Sequence, residues 1–178
     1  KAREVLERGD WSSMHPNDRK KILLEWADKI EANKQELAVL ESIDSGKPIS
    51  DCLEGDIPET VESLRWYAGA VDKVFGEISP SGNDVLGMVV KEPVGVVGAV
   101  LPWNFPLLMM AWKIAPAIAS GNSIIVKPAE QTSLSALYVA KLAHESSLPA
   151  GVFNVLPGFG EDLGKAIGLH NDIDVFSV

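Results

Sequence analysis

Up to about Asp72 the apolar positions of this chain recur at helical spacing, with charged residues between them. Ile22, Leu23, Trp26, Ala27 and Ile30 predict a helix that buries one face. Pro16 suits its first turn, because the N–H that proline lacks would be unpaired there anyway. A second helix carries Leu37, Leu40 and Ile43. It ends at Ser45-Gly46-Lys47-Pro48, where glycine suits the C-terminal cap and proline forbids continuation. Pro58 opens a third helix through Leu64, Trp66 and Tyr67.

The period changes after Gly76. Glu77 to Ser79 and Val85 to Val90 flank Pro80-Ser81-Gly82-Asn83-Asp84, and turn residues between two β-prone runs predict a hairpin. From Val94 the chain alternates strand and helix. Val94 to Leu101 is a continuous apolar run, as a parallel strand buried on both faces requires. Leu107, Leu108, Ala111, Ile114, Ala115 and Ile118 form the next helix, closed by Gly121. Ser123 to Val126 is a second strand. Thr132 or Ser133 can cap a helix carrying Ala136, Val139, Ala140 and Ala143. Val152 to Leu156 is a third strand, followed by a short helix and a strand at Ile173 to Phe176. Strand, crossover helix and strand in repetition predict an α/β fold with a Rossmann-like parallel sheet behind the N-terminal helices. Val178 falls inside or just after a strand with no helix to cover it, so the chain is expected to be a piece of a longer protein.

Composition narrows the function. The 178 residues are 46% hydrophobic and 23% charged, which is a globular composition and excludes disorder as the main state. With 16 Lys+Arg against 25 Asp+Glu the net charge is −9. An acidic chain without a basic block argues against nucleic acid and anionic membrane surfaces as partners. Apolar stretches such as Val94 to Pro102 are broken by Gly and Pro and fall short of the roughly 20 residues that span a bilayer. The polar stretch at Lys1 does not resemble a secretion signal. The single Cys52 excludes an intramolecular disulfide and multi-cysteine metal sites, so a reducing, cytoplasmic setting fits.

Ligands of open parallel sheets bind beyond the carboxyl ends of the strands, which directs attention to three loops. In Pro102-Trp103-Asn104-Phe105-Pro106, the Asn104 amide can donate to a developing oxyanion or brace the loop backbone. In Lys127-Pro128-Ala129-Glu130, Lys127 and Glu130 can hold two ribose hydroxyls or form a solvated salt bridge. A carboxylate there would repel a 2′-phosphate, so the first use implies NAD over NADP. Gly158, Gly160 and Gly164 approach a dinucleotide fingerprint, but the spacing is one residue too long and the segment follows the third strand. A glycine turn with close helix packing accounts for them equally well. Leu108, Met109 and Trp112 make an apolar stripe of the kind usually found in cores, with Lys113 a solvated neighbour. Cys52 lacks a neighbouring histidine and is a poor nucleophile candidate. His15, His144 and His170 are scattered, and no metal site is expected.

Leu101-Pro102-Trp103-Asn104-Phe105-Pro106-Leu107-Leu108-Met109, continued by Ala111-Trp112-Lys113 and Ser120-Gly121-Asn122, resembles the NAD(P)-dependent aldehyde dehydrogenase superfamily. Lys127 to Thr132 and Leu148 to Val155 extend the match. Asp44 to Pro48, Arg65 to Gly69 and Glu92 to Val96 also match in order, so the resemblance covers essentially the whole chain. It implies a fold with residues 1–74 as the helical part of the NAD-binding domain, 75–93 as a β-hairpin oligomerisation arm and 94–178 as the Rossmann-like core. The subunit would form a homodimer or homotetramer through that arm.

The resemblance further implies that Asn104 is the oxyanion-hole amide and that Lys127 and Glu130 bind the ribose of NAD. Leu101, Pro102 and Trp103 would wall the nicotinamide side, and Gly160 and Gly164 would lie against the adenine. Phe105, Met109 and Trp112 would line the aldehyde tunnel, and Lys113 would be a buried proton-relay or structural lysine. The family oxidises an aldehyde to a carboxylic acid through a cysteine thiohemiacetal and thioester, with a glutamate activating water. Both groups are expected beyond Val178, so this chain alone should be inactive. Asp56-Ile57-Pro58 and Arg65-Trp66-Tyr67 look most like enzymes of ω-amino or γ-glutamyl-amino aldehydes. The alternatives are a silent structural or interaction fragment and a CoA-acylating semialdehyde dehydrogenase relative.

Overall fold

The computed structural model describes residues 1–178. Its N-terminal half is helical: α1 (Ala2–Arg8), α2 (Pro16–Ala32), α3 (Lys34–Ser45), α4 (Ile49–Asp51) and α5 (Ile57–Ala70). On α2, Leu23, Trp26, Ala27 and Ile30 are buried, as their spacing predicts. On α3 the buried face is Leu37, Ala38 and Glu41, while Ile43 is exposed, so the apolar positions Leu40 and Ile43 do not mark the inward side. Gly46 closes α3 in the left-handed region with its N–H on the Ser42 carbonyl. Pro58 does sit in the first turn of α5, but helical backbone begins earlier, because α4 and a π-helical turn at Cys52–Asp56 lead directly into it.

The hairpin pairs β1 (Glu77–Ser79) with β2 (Gly87–Val89) in antiparallel register, Ile78 opposite Met88. Its second strand starts two residues later than Val85. Four parallel strands form the main sheet: β3 (Val96–Val100), β4 (Ser123–Lys127), β5 (Phe153–Val155) and β6 (Val175–Ser177). The last begins beyond Ile173, where the expected strand was to start. Their spatial order is β5-β4-β3-β6. The chain therefore steps outward from β3 to β5 and then returns to the other side of β3. The order reverses between β3 and β6, which is where open α/β sheets form a ligand crevice.

Between the strands run α6 (Pro106–Ala119), α7 (Leu134–His144) and, after a π-helical turn at Gly160–Gly164, α8 (Lys165–Leu169). Residues of α8 lie so close to β3 that a Cβ at Gly98 would come within 2.7 Å of the Ile167 side chain. Only glycine allows that approach. The core joins sheet and helices through two fully buried tryptophans. Trp11 donates its indole N–H to the Ile118 carbonyl at 2.9 Å, and Trp26 packs at a tilt against Phe153, with ring centroids 5.2 Å apart. The cap of α7 departs from expectation. Neither Thr132 nor Ser133 caps it through its side chain; Asp44, at the end of α3, accepts the Leu134 N–H at 2.7 Å.

Candidate active site

The carboxyl ends of β3 and β4 bring the Asn104 loop and Lys127 to one edge. The loop is held at its start by the Leu101 N–H, which donates to the Lys127 carbonyl at 2.9 Å. At its end Pro106 and Leu107 are buried in the first turn of α6. Between these anchors Pro102, Trp103, Asn104 and Phe105 face solvent. The Asn104 carboxamide takes part in none of the hydrogen bonds within the chain, so the loop-bracing alternative has no bond to carry it. An exposed amide on a loop stiffened by two prolines leaves its donor free to meet an acceptor from outside the chain.

Lys127 and Glu130 meet, in an arrangement intermediate between the two predicted. The Lys127 side chain is 2% exposed, and its ammonium donates to Glu130 Oε2 and to the Pro128 carbonyl, both at 3.0 Å. A buried ammonium with one proton left over differs from a solvated salt bridge. Glu130 stays open to solvent, and the hydrogen bond from Lys127 holds its carboxyl below the usual carboxylate range. The pair thus presents a permanent carboxylate at the sheet edge, backed by a cation.

Beyond β5 the glycines separate into two kinds. A Cβ on Gly158 would meet the Leu163 side chain at 3.1 Å, so packing explains that residue. A Cβ on Gly160 or Gly164 would meet nothing within 4 Å. Close helix packing therefore fails as the reason for those two, and the surface above them is clear for a ligand's approach.

Phe105, Met109 and Trp112 fall at i, i+4 and i+7, along one side of α6. Trp112 is 54% exposed and Met109 half-buried, which corrects the expectation of a core stripe; only Leu108 is buried. The buried sides of α6 pack on α5 and the sheet, leaving Met109, Trp112, Lys113 and Pro116 on the uncovered one. Lys113 shares that open side. Within residues 1–178 it is half-buried and donates to the Val178 carbonyl oxygen at 3.3 Å. Beside Trp112 lies a cleft lined by Glu59, Glu62, Ser63, Trp66 and Tyr67.

Cys52 is fully buried in the π-helical turn, and burial, with Glu41 and Asp56 nearby, pushes its thiol up to about 11. It is an inert thiol. His15 accepts the Asn17 N–H at the start of α2, and His170 accepts the Asp172 N–H, so both serve local backbone turns.

The polar group that sequence reasoning missed is Glu41. It is fully buried, and its carboxylate accepts the Leu107 N–H at 3.2 Å in the first turn of α6. Burial raises its carboxyl to about 7, against the opposing pull of the Leu107 amide. The signal was a glutamate four residues after Leu37, on the stripe that turns inward.

A sequence profile of the aldehyde dehydrogenase family matches residues 1–178. An aminoacetaldehyde dehydrogenase of Pseudomonas aeruginosa is 54% identical over 176 residues, 99% of this chain and 36% of that protein. The NADP/NAD-dependent aldehyde dehydrogenase PuuC of Escherichia coli is 52% identical over the same share of each. Among solved structures, the aldehyde dehydrogenase KauB of Pseudomonas aeruginosa superimposes with a TM-score of 0.97 at 50% identity, over 98% of this chain and 35% of that one. An indole-3-acetaldehyde dehydrogenase in complex with NAD+ gives 0.96 at 48% identity, over 98% and 36%. The chain thus spans about a third of the length of the relatives it matches.

Proposed function

Since this chain belongs to the aldehyde dehydrogenase family, we propose that it supplies the cofactor-binding edge and the oxyanion donor of an enzyme that oxidises an aldehyde to a carboxylic acid with NAD. The observation that carries this reading is the Asn104 carboxamide, exposed and without a partner in the chain, on an anchored loop at the point where the strand order reverses. A donor fixed before reaction stabilises charge that develops on the aldehyde oxygen, without having to reorganise.

The edge residues suit a dinucleotide. Lys127 and Glu130 would hold the ribose hydroxyls, one as donor and the other as acceptor, and the exposed carboxylate favours a free 2′-hydroxyl over a phosphate. Gly160 and Gly164 leave room for the adenine, while Leu101, Pro102 and Trp103 border the nicotinamide side. NAD, when bound, supplies the hydride acceptor. Cys52, buried and with its thiol pushed up, is unsuited to serve as the thiolate, and on this reading the nucleophile and the base for hydrolysis would come from outside residues 1–178. Lys113, half-exposed here, would act in a proton relay only where further chain covers that side of α6.

Phe105, Met109 and Trp112 would line the aldehyde's approach, and the cleft beside Trp112 suggests the substrate class. Glu59 and Glu62 next to Trp66 and Trp112 offer negative charge and aromatic faces, which favour an ω-amino aldehyde. The resemblance to an aminoacetaldehyde dehydrogenase agrees with that choice. The hairpin, residues 75–93, would join subunits, since Phe75, Ile78, Leu86 and Met88 are exposed on it. The test is aldehyde-dependent NADH formation by the whole enzyme, comparing an ω-amino aldehyde with its uncharged alkyl analogue. Higher kcat/KM for the amino aldehyde supports the substrate class, and no NADH with either overturns the function.

A further inference from the structure

The Asn104 loop rests on a buried polar cluster that the mechanism above does not use. Glu41 of α3 reaches the first turn of α6 and accepts the Leu107 N–H at 3.2 Å, three residues beyond Asn104. Lys47, just past the end of α3, places its ammonium 3.8 Å from the centre of the Phe105 ring, the residue next to Asn104. The same ammonium pairs with Asp56 of the π-helical turn, and both side chains of that pair are largely buried. Thr60 in turn donates to the Asp56 carbonyl at 2.7 Å. The loop that carries Asn104 is therefore gripped at two successive points, Phe105 and Leu107, by groups from one segment of chain, Glu41 to Asp56.

We propose that Glu41 is the positioning residue of the oxyanion donor: by accepting the Leu107 N–H from inside the protein it fixes the first turn of α6, and through that turn the placement of the Asn104 amide. The proposal rests on the reading of Asn104 as oxyanion donor and adds the group that aims it.

Two features separate this role from ordinary helix capping. Caps are commonly flanking Ser, Thr, Asp or Asn residues at the surface, whereas Glu41 lies 66 positions away and is fully buried. An ionisable carboxyl is also kept inside the protein, at a desolvation cost that a surface cap does not carry. The charged and polar groups facing it are Lys47 and Asp56 from the segment after α3, Cys52 from the π-helical turn, Ser135 from α7 and the Leu107 amide from α6. Burial dominates and raises the carboxyl to about 7; Asp56 adds to the rise, and the Leu107 amide, Ser135 and Lys47 oppose it.

The experiment measures the pre-steady-state NADH burst in the whole enzyme for Glu41→Met, Glu41→Gln, Asn104→Ala and the Glu41→Met/Asn104→Ala pair. Glu41→Met keeps the bulk but removes the acceptor, and should slow the burst roughly tenfold at unchanged NAD affinity, since small misplacements of a catalytic group cost rate. Glu41→Gln keeps an acceptor for Leu107 and should restore the rate at neutral pH or below. In the Asn104→Ala background Glu41→Met should cost less than about twofold further, because the two act through one donor. Independent, additive losses would overturn the proposal, as would an undiminished burst in folded Glu41→Met. An unaltered burst in Asn104→Ala would remove the oxyanion reading itself, and the proposal with it. If Glu41→Met does not fold, the pH dependence decides. The ratio of wild-type to Glu41→Gln burst rates should rise as pH passes through about 7, where the wild-type side chain becomes a charged and stronger acceptor. A ratio flat with pH would overturn it.

Discussion

The loop after β3 and the hairpin of β1 and β2 are both exposed, yet the chain treats them in opposite ways. The loop is short, bounded by buried Leu101 and Pro106, and tied to β4 and α3 by hydrogen bonds to Lys127 and Glu41. The hairpin is bound chiefly to itself, with Ile78 75% and Met88 65% exposed opposite each other. Exposure with anchoring suits the proposed task of aiming a side chain at a small ligand. Exposure of paired apolar side chains without a covering layer suits the proposed docking of another chain.

The widest separation between the two regions should appear in stability. Trp26→Ala removes a fully buried indole beneath the sheet and should cost roughly 3–5 kcal/mol, read from denaturant unfolding of the whole enzyme. Ile78→Ala should cost little within a subunit, about 0.5 kcal/mol or less. Any loss it causes should shrink as protein concentration rises, since it would act through subunit association. Concentration-independent losses of equal size at both sites would erase the contrast. A sharper version places charge on the hairpin: Ile78→Lys with Met88→Lys should shift sedimentation toward smaller species while kcat per folded subunit changes less than its assembly does. Unchanged sedimentation would remove the arm from the interface.

On the anchored side, Glu130→Gln should lower the preference for NAD over NADP by a modest factor, because it removes an exposed charge that would face the 2′ position. Equal preference before and after would place Glu130 away from the ribose. The smallest effect concerns pH. Asp174 accepts the Val96 N–H at 2.7 Å and pairs with Arg3, which hold its carboxyl below the ordinary range. Its folded value is the lower one, so its contribution is present above the ordinary carboxylate pKa and fades as pH falls through the depressed value. Asp174→Asn should flatten that acid limb of the unfolding curve. Glu41 has the opposite sign: with its carboxyl raised to about 7, its ionisation costs stability as pH climbs from the ordinary carboxylate range through about 7.

The same contrast explains what was legible in the sequence. Val96 to Val100 and Ser123 to Lys127 are buried on both faces, and continuous apolar runs announce such strands directly. Period alone says that a helix has an inner face, but not which of two apolar stripes it is. On α3 the glutamate at position 41 turned inward and Ile43 outward, and on α6 Trp112 and Met109 turned toward the open side. Contacts between distant segments were illegible for a different reason. The grip of Glu41 on Leu107 and of Asp44 on Leu134 joins residues 66 and 90 positions apart, and nothing local encodes them. The burial of Lys127 likewise depends on its neighbours in space, whereas its pairing with Glu130 follows from spacing.

The central claim is that the anchored loop holds Asn104 for the oxyanion, and the NADH burst of the whole enzyme carrying Asn104→Ala tests it most directly. Losing one oxyanion donor typically lowers the rate of the charged step by roughly 10²–10³. The burst, which reports attack on the aldehyde and hydride transfer and not hydrolysis or product release, should therefore slow by about that factor, while NAD affinity stays close to wild type. An Asn104→Ala enzyme with an unaltered burst rate would contradict the account.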